Sequence, residues 1–179
     1  MALEIPDPCL VVLVGAAGSG KSTFAARHFA PDEVLSSDAF RELIAGDPAD
    51  QTATHAAFSA LHKALARRLF EGRLTVVDAT SVQRGARAAL LRRSAAAGVP
   101  AVAVVLALPP DVVQARNRER PPGAIVPAEA VDRQLAALAT ALRPDGMDAE
   151  DFARIHVLTT PADVDAAVVL RVPGQRGPA

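Results

Sequence analysis

The feature that most constrains this chain is its run from Leu10 to Thr23, LVVLVGAAGSGKST, where an unbroken apolar segment passes into glycines and then into a helix-forming segment. It completes the pattern G-x-x-x-x-G-K-[ST], and it has the flanks that pattern needs, a buried strand ahead and a helix behind. Gly15, Gly18 and Gly20 open backbone angles closed to other residues and let the main chain approach an anion. Successive N–H groups then point at a β-phosphate, and the start of the following helix adds the positive end of its dipole. The loop from Gly15 through Ala17, Gly18, Ser19, Gly20, Lys21 and Ser22 to Thr23 is therefore expected to hold the phosphates of a nucleoside triphosphate. Lys21 is expected to reach the β- and γ-phosphates and Ser22 to give its hydroxyl to Mg²⁺.

Around this stretch strand and helix signals alternate, which predicts an α/β fold with a parallel β-sheet and helices on both faces. Helices are expected over residues 21–29, stopped by Pro31, then through Phe40, Leu43 and Ile44, ended by Gly46 and Pro48. A longer helix over about residues 52–70 carries Phe58, Leu61, Leu65 and Leu69 as one apolar stripe. Further helices are expected over residues 83–97, after Pro110, through Val131, Leu135, Leu138 and Leu142, and after Thr160. Strands are expected at residues 10–14, 33–37, 74–78, 101–108 and 154–158, the fourth being the longest apolar run and hence central. Residues 1–171 form one domain on this reading, and residues 172–179, with two prolines, two glycines and no periodicity, form a linker or disordered tail.

Composition narrows the class. At 179 residues with 50% apolar and 22% charged residues, the chain is an ordinary globular domain. Cys9 is the only cysteine, which leaves no disulfide framework and no cysteine-based metal site and suits a reducing cytoplasm. The first apolar run has no cationic segment ahead of it and is too short for a signal peptide or a membrane span, so no membrane partner is expected. His55 and His62 are not at metal-ligand spacing with a carboxylate and read as surface or satisfied histidines.

Beyond the loop, the chemistry-bearing candidates sit where strands end. Asp38 follows the second strand and is either a helix cap or a base that accepts a proton from an attacking hydroxyl. Arg41, three residues on, shares its helix face and is either a clamp beside that base or a solvated or Asp38-paired arginine. Asp78 closes a β-branched run and is a candidate for holding Mg²⁺, through water, unless it caps the turn at Thr80. Ala79 follows it where an Asp-Glu pair would mark a water-activating ATPase, so transfer to a hydroxyl is favoured. A guanine-reading Asn-Lys-x-Asp segment is missing, which disfavours a GTPase switch. Arg116 and Arg120, four apart, share a face just before Pro121-Pro122-Gly123 and suit a helical lid over about residues 115–133; the alternative is a basic surface helix. Arg84, Arg87, Arg92 and Arg93 read mostly as a solvated helix face, with Arg84 nearest the ligand edge.

Taken together, residues 15–23, Ser36-Ser37-Asp38 with Arg41, Asp50-Gln51-Thr52, Leu74-Thr75-Val76-Val77-Asp78-Ala79-Thr80 with Val82-Gln83, and the lid arginines resemble the kinase domain of bacterial polynucleotide kinase-phosphatase. The resemblance covers roughly residues 10–158. It implies a P-loop kinase that transfers the γ-phosphate of ATP or another NTP, with Mg²⁺, to 5′-hydroxyl ends of DNA or RNA in end healing and repair. It also implies that Asp38 is the general base, that Arg41 binds the acceptor's neighbouring phosphate, and that Arg116 and Arg120 clamp the donor phosphates. Gln51 and Arg84 would touch the acceptor. Ser81 departs from the pattern, which has asparagine after Asp-Ala-Thr. That family's protein continues into phosphatase and nucleotidyltransferase domains, which are expected as downstream partners outside this sequence. Two other readings stay open: a P-loop kinase of a small hydroxylated metabolite or antibiotic, and a non-catalytic nucleotide-binding module.

A net charge of -1 gives the domain no basic field, so an oligonucleotide acceptor is expected to be gripped only at its terminal nucleotides. Each phosphate neutralised on a single strand contributes about -0.7 to the slope of log affinity against log salt, which predicts a slope of about -1 to -2. Salt titration with a short and a long single strand checks this; a slope steeper than about -4, or affinity climbing with length, would reveal a basic track.

Overall fold

The computed structural model describes residues 1–45 and 54–174. Along the chain run β1 (Ala2–Asp7), β2 (Leu10–Val14), α1 (Lys21–His28), β3 (Val34–Ser36), α2 (Ser37–Ala45), α3 (Thr54–Phe70), β4 (Thr75–Asp78), α4 (Arg84–Ala96), β5 (Ala101–Leu106), α5 (Pro110–Arg118), α6 (Ala128–Ala141), β6 (Arg154–Leu158), α7 (Pro161–Asp165) and β7 (Val168–Pro173). Five strands form a parallel sheet in the order β3-β4-β2-β5-β6. After β2 the chain moves outward to one side, and after β4 it crosses to the other. That leaves the carboxyl end of β2 at the point where the strand order reverses, the place where open α/β sheets bind ligands.

The unbroken apolar sequence of β2 is explained by its two covered faces. Leu10, Val12 and Val14 pack with Leu61, Leu65 and Leu69 of α3, Leu90 and Leu91 of α4 and Leu138 of α6. Val11 and Leu13, pointing the other way, pack with Phe24 and Ala25 of α1 and with Leu3 and Ile5 of β1. Period-2 alternation within a continuous apolar run therefore serves two helical layers at once. All of these β2 side chains are fully buried. In α3 the inward stripe is Ala57, Leu61, Leu65 and Leu69, whereas Phe58, expected in it, is 37% exposed. Cys9 is buried beside β2, and burial, reinforced by Asp7, pushes its thiol up to about 12, so it is unreactive.

Two strands go beyond the expected set. β1 and β7 pair in parallel as a separate ribbon, in register from Ala2↔Val168 to Asp7↔Pro173. Val172 and Pro173, expected in the tail, instead complete β7, and Gly174 N–H donates to the Asp7 carbonyl at 3.0 Å. Leu3 and Ile5, fully buried, anchor this ribbon in the core, with Val169 of β7 packed partly buried against it. Among the described residues no helix is long and apolar enough to cross a membrane.

The expectation of a solvated α4 face fails at Arg87, which is 1% exposed. Its Nε and Nη2 donate to Glu150 Oε2 and Oε1 at 2.8 and 2.5 Å, while Nη1 donates to the carbonyls of Ser81 and Val82 at 3.1 and 2.6 Å. One guanidinium thus fixes the segment that leaves β4, including Ser81, whose φ is 47°. Removing one partner of such a pair strands a buried charge. Glu150→Ala is therefore expected to cost about 3–5 kcal/mol in denaturant unfolding, with much of it recovered in Arg87→Met combined with Glu150→Leu.

Candidate functional site

Gly20 ends the phosphate loop and stands at the N-cap of α1 with φ 93° and no side-chain cap; no acidic residue occupies the first turn. The opening N–H groups of this helix, at Lys21, Ser22 and Thr23, have no acceptor within the helix, and its positive end is uncompensated. That is the arrangement an anion completes. Gly18 turns with φ +86° and is tightly enclosed: a Cβ there would lie 2.5 Å from the Val113 carbonyl and 3.1 Å from Asn117 Cβ, both on α5. At Gly15 a Cβ would lie 2.6 Å from Ser19 Oγ. Ser19 is fully buried and its Oγ has no hydrogen-bond partner among the described residues. Gly15 N–H donates to the Thr80 carbonyl at 3.1 Å, tying the loop's start to the end of β4.

Lys21 folds back beneath this loop. Its Nζ donates to the carbonyls of Gly15 and Ala16, both at 2.9 Å, and the side chain is almost wholly buried. Burial is the main reason its pKa falls to about 8; Arg120 lowers it further, and Asp78 and Asp38 pull it back up. Asp78, buried at the end of β4, is raised by burial; a hydrogen bond from Ser22 and the charge of Lys21 oppose this, while Asp38 adds to it. Lys21, Ser22, Asp78, Asp38 and Arg120 therefore lie within one electrostatic neighbourhood.

Asp38 sits in the first turn of α2 without capping it. Ser36 Oγ accepts from Ala39 N–H at 3.4 Å, and the Asp38 carboxylate instead pairs with Arg41. Arg41 Nε is buried without a partner among the described residues. Arg116 Nη1 lies 3.5 Å from where a Gly20 Cβ would be. Arg116 and Arg120 are both partly buried and Arg118 is exposed, but α5 ends at Arg118, so Arg120 stands in the turn beyond it and does not share the helix face expected for the pair. Arg84 stands exposed at the start of α4, in a groove it lines with Glu150 and Phe152. Gln51 lies outside the described residues.

Two side chains at the site carry no motif. Asn117, 1% exposed, donates through Nδ2 to the Val126 carbonyl at 2.7 Å and accepts the Val126 N–H at 3.1 Å, pinning the segment between α5 and α6. Gln134 Oε1 accepts the Ala17 N–H of the phosphate loop at 2.8 Å. A polar residue between the apolar positions Val131, Leu135 and Leu138 is the one sequence signal that marks Gln134.

A parallel sheet with its phosphate loop at the switch point and an aspartate at the neighbouring strand end defines a nucleotide-binding, kinase-like P-loop enzyme. The chain belongs to the AAA domain family, whose profile matches residues 10–143. Comparison with curated proteins finds no match. Among solved structures, a sugar kinase of Janibacter sp. HTCC2649 in unliganded form is 25% identical, with TM-score 0.58 and 85% of each chain covered. A chain of the Pnkp1/Rnl/Hen1 RNA repair complex is 22% identical with TM-score 0.63; the match covers 75% of this chain and 45% of that one. The Mycobacterium tuberculosis APS kinase CysC, in complex with AMPPNP and APS, is 21% identical with TM-score 0.54 over 90% of this chain and 93% of that one. The last two likenesses are of fold.

Charged Lys21 is the form that attracts triphosphate, and it is held below about pH 8. Nucleotide affinity is therefore expected to be full below that pH and to weaken as pH rises through it, the Kd climbing toward about tenfold per pH unit for one linked proton. Calorimetric titration across this range checks the profile, and Lys21→Ala is expected to bind weakly with no such inflection.

Proposed function

We propose that this chain is an NTP-dependent kinase of polynucleotide 5′-hydroxyl ends. The observation that carries this reading is the buried Nε of Arg41, since the pairing with Asp38 by itself is the alternative the sequence left open for this arginine. The cation is tied to the base candidate and keeps a buried Nε donor without a partner among the described residues. An unsatisfied buried donor costs about 1–3 kcal/mol, which a phosphate oxygen of the acceptor would recover. A hydroxyl held at Asp38 would then have a phosphate next to it, as a terminal nucleotide does.

In the transfer, Asp38 takes the proton of the attacking hydroxyl as that oxygen bonds to the γ-phosphorus. The bond from phosphorus to the β–γ bridging oxygen breaks and the diphosphate leaves. Lys21, Arg116 and Arg120 neutralise charge on the phosphates, and the loop N–H groups hold them in line. The Ser22 hydroxyl and the Asp78 carboxylate suit Mg²⁺, which accepts few protein ligands and keeps several waters. Ser22 and Asp78 would hold it, and it would supply positive charge to the transferring phosphate.

A second reading, phosphorylation of a sugar or similar small hydroxylated metabolite, is favoured by the likeness to the sugar kinase over 85% of both chains. Transfer of labelled γ-phosphate to a 5′-hydroxyl oligonucleotide, run beside a panel of sugars and nucleosides, separates the two. Lys21→Ala, Asp38→Ala and Arg120→Ala are each expected to lower turnover by at least about a hundredfold with the fold intact. Arg41→Ala is expected to raise the oligonucleotide KM more than it lowers kcat while leaving NTP binding nearly unchanged. Near-normal turnover in folded Asp38→Ala would remove the base assignment, and an unchanged oligonucleotide KM in Arg41→Ala would favour the metabolite.

A further inference from the structure

We propose that Gln134 is a positioning residue of the phosphate loop, acting on the Ala16–Ala17 peptide that Lys21 holds from its other end. The carbonyl of that peptide belongs to Ala16 and accepts from Lys21 Nζ at 2.9 Å. Its N–H belongs to Ala17 and donates to Gln134 Oε1 at 2.8 Å. Because the partner is a backbone N–H, only the oxygen end of the Gln134 amide can face it. The two hydrogen bonds grip opposite edges of one rigid plane, so the peptide cannot turn without breaking both.

The reach of Gln134 is set by packing on either side of it. Val131 and Leu135, a turn before it and the next residue along α6, pack with Ala16 and Ala17 of the loop. α6 is in turn fastened to the arginine-bearing helix α5: Gln114 Nε2 donates to Asp132 Oδ1 at 2.7 Å and to the Ala128 carbonyl at 3.2 Å. Gln134 is thus the polar link through which the α5–α6 hairpin, with Arg116 and Arg120, is registered on the loop that carries Lys21.

An ammonium has three protons, and two are directed by the carbonyls of Gly15 and Ala16. The direction of the third is therefore fixed by those two carbonyls. Releasing the Ala17 N–H frees the peptide, and with it one of the two bonds that aim Lys21. The effect belongs to donor binding and is independent of which acceptor the enzyme uses.

Gln134→Met keeps length and removes the acceptor, whereas Gln134→Glu keeps an oxygen. Measured with the nonhydrolysable ATP analogue AMPPNP and Mg²⁺ by calorimetry, Gln134→Met is expected to raise the Kd about tenfold, the loss of roughly one hydrogen bond's net contribution. The Ala17 amide proton, followed by NMR, is expected to move upfield and exchange faster in Gln134→Met and to stay in place in Gln134→Glu. Introduced into Lys21→Met, Gln134→Met is expected to change the Kd by less than about twofold, since both substitutions act through one peptide. An unchanged Kd in Gln134→Met overturns the proposal. So does a raised Kd with an unmoved Ala17 amide, or full additivity with Lys21→Met. If Gln134→Met fails to fold, the Ala17 amide in Gln134→Glu decides: retention of its position supports the proposal and loss overturns it.

Discussion

Burial of one ammonium group organises the ligand edge of this molecule. Lys21 is 9% exposed, and a charge taken so far out of water has to be given partners. Two carbonyls of its own loop and the nearby carboxylates of Asp78 and Asp38 supply them. Beyond those carbonyls the loop curls on through Gly18 and Gly20, both at positive φ. The loop holds its place because β2 is locked between β4 and β5 with both faces covered. The apolar run and the glycines after it are parts of one device: a rigid strand that delivers a curled backbone to a fixed spot.

The two sides of the candidate site are built differently. On the donor side the groups are enclosed: Ser19, Lys21 and Asp78 are buried, and Gly18 is closed in by α5. The other side is carried by the first turns of α2, where the Asp38 side chain is 53% exposed and that of Arg41 28%. Phosphoryl transfer asks little of the protein beyond alignment and charge neutralisation. The fold itself is shared with a sugar kinase, an APS kinase and a chain of an RNA repair complex.

Elements whose patterns are local were legible in the sequence. β6 begins and ends at Arg154 and Leu158 as expected, and the expected helices and central strands appear with bounds shifted by a few residues. The alternation of Leu3 and Ile5 in β1 is too short to stand out beside Pro6 and Pro8. Its register partners, Val169 for Leu3 and Arg171 for Ile5, lie near the far end of the chain. Such a pairing leaves no local signal, so neither the ribbon nor the extension of β7 through Pro173 is legible. Arg87 is hidden for another reason: on a helix with several arginines nothing marks the one that faces inward until Glu150, 63 residues away, is seen beside it. Of the site, residues fixed by a motif were readable, because backbone geometry and chemistry demand their types. Gln134 and Asn117, whose partners are backbone groups on other segments, were not.

The cations at the site also explain why the loop is strung so tightly before any phosphate arrives. Arg120 depresses Lys21, so these positive groups oppose one another, and Arg116 approaches the same loop at Gly20. They are kept together by packing: α5 meets the loop where Gly18 lacks a side chain, Asn117 ties α5 to Val126, and Gln114 ties it to α6. A triphosphate entering this arrangement meets donors already oriented, so little reorganisation is left to oppose the reaction. The repulsion among the cations is relieved by the same event. Gly18 therefore has two roles, one in the turn of the loop and one in admitting α5, and the second brings Arg116 close to the loop at Gly20.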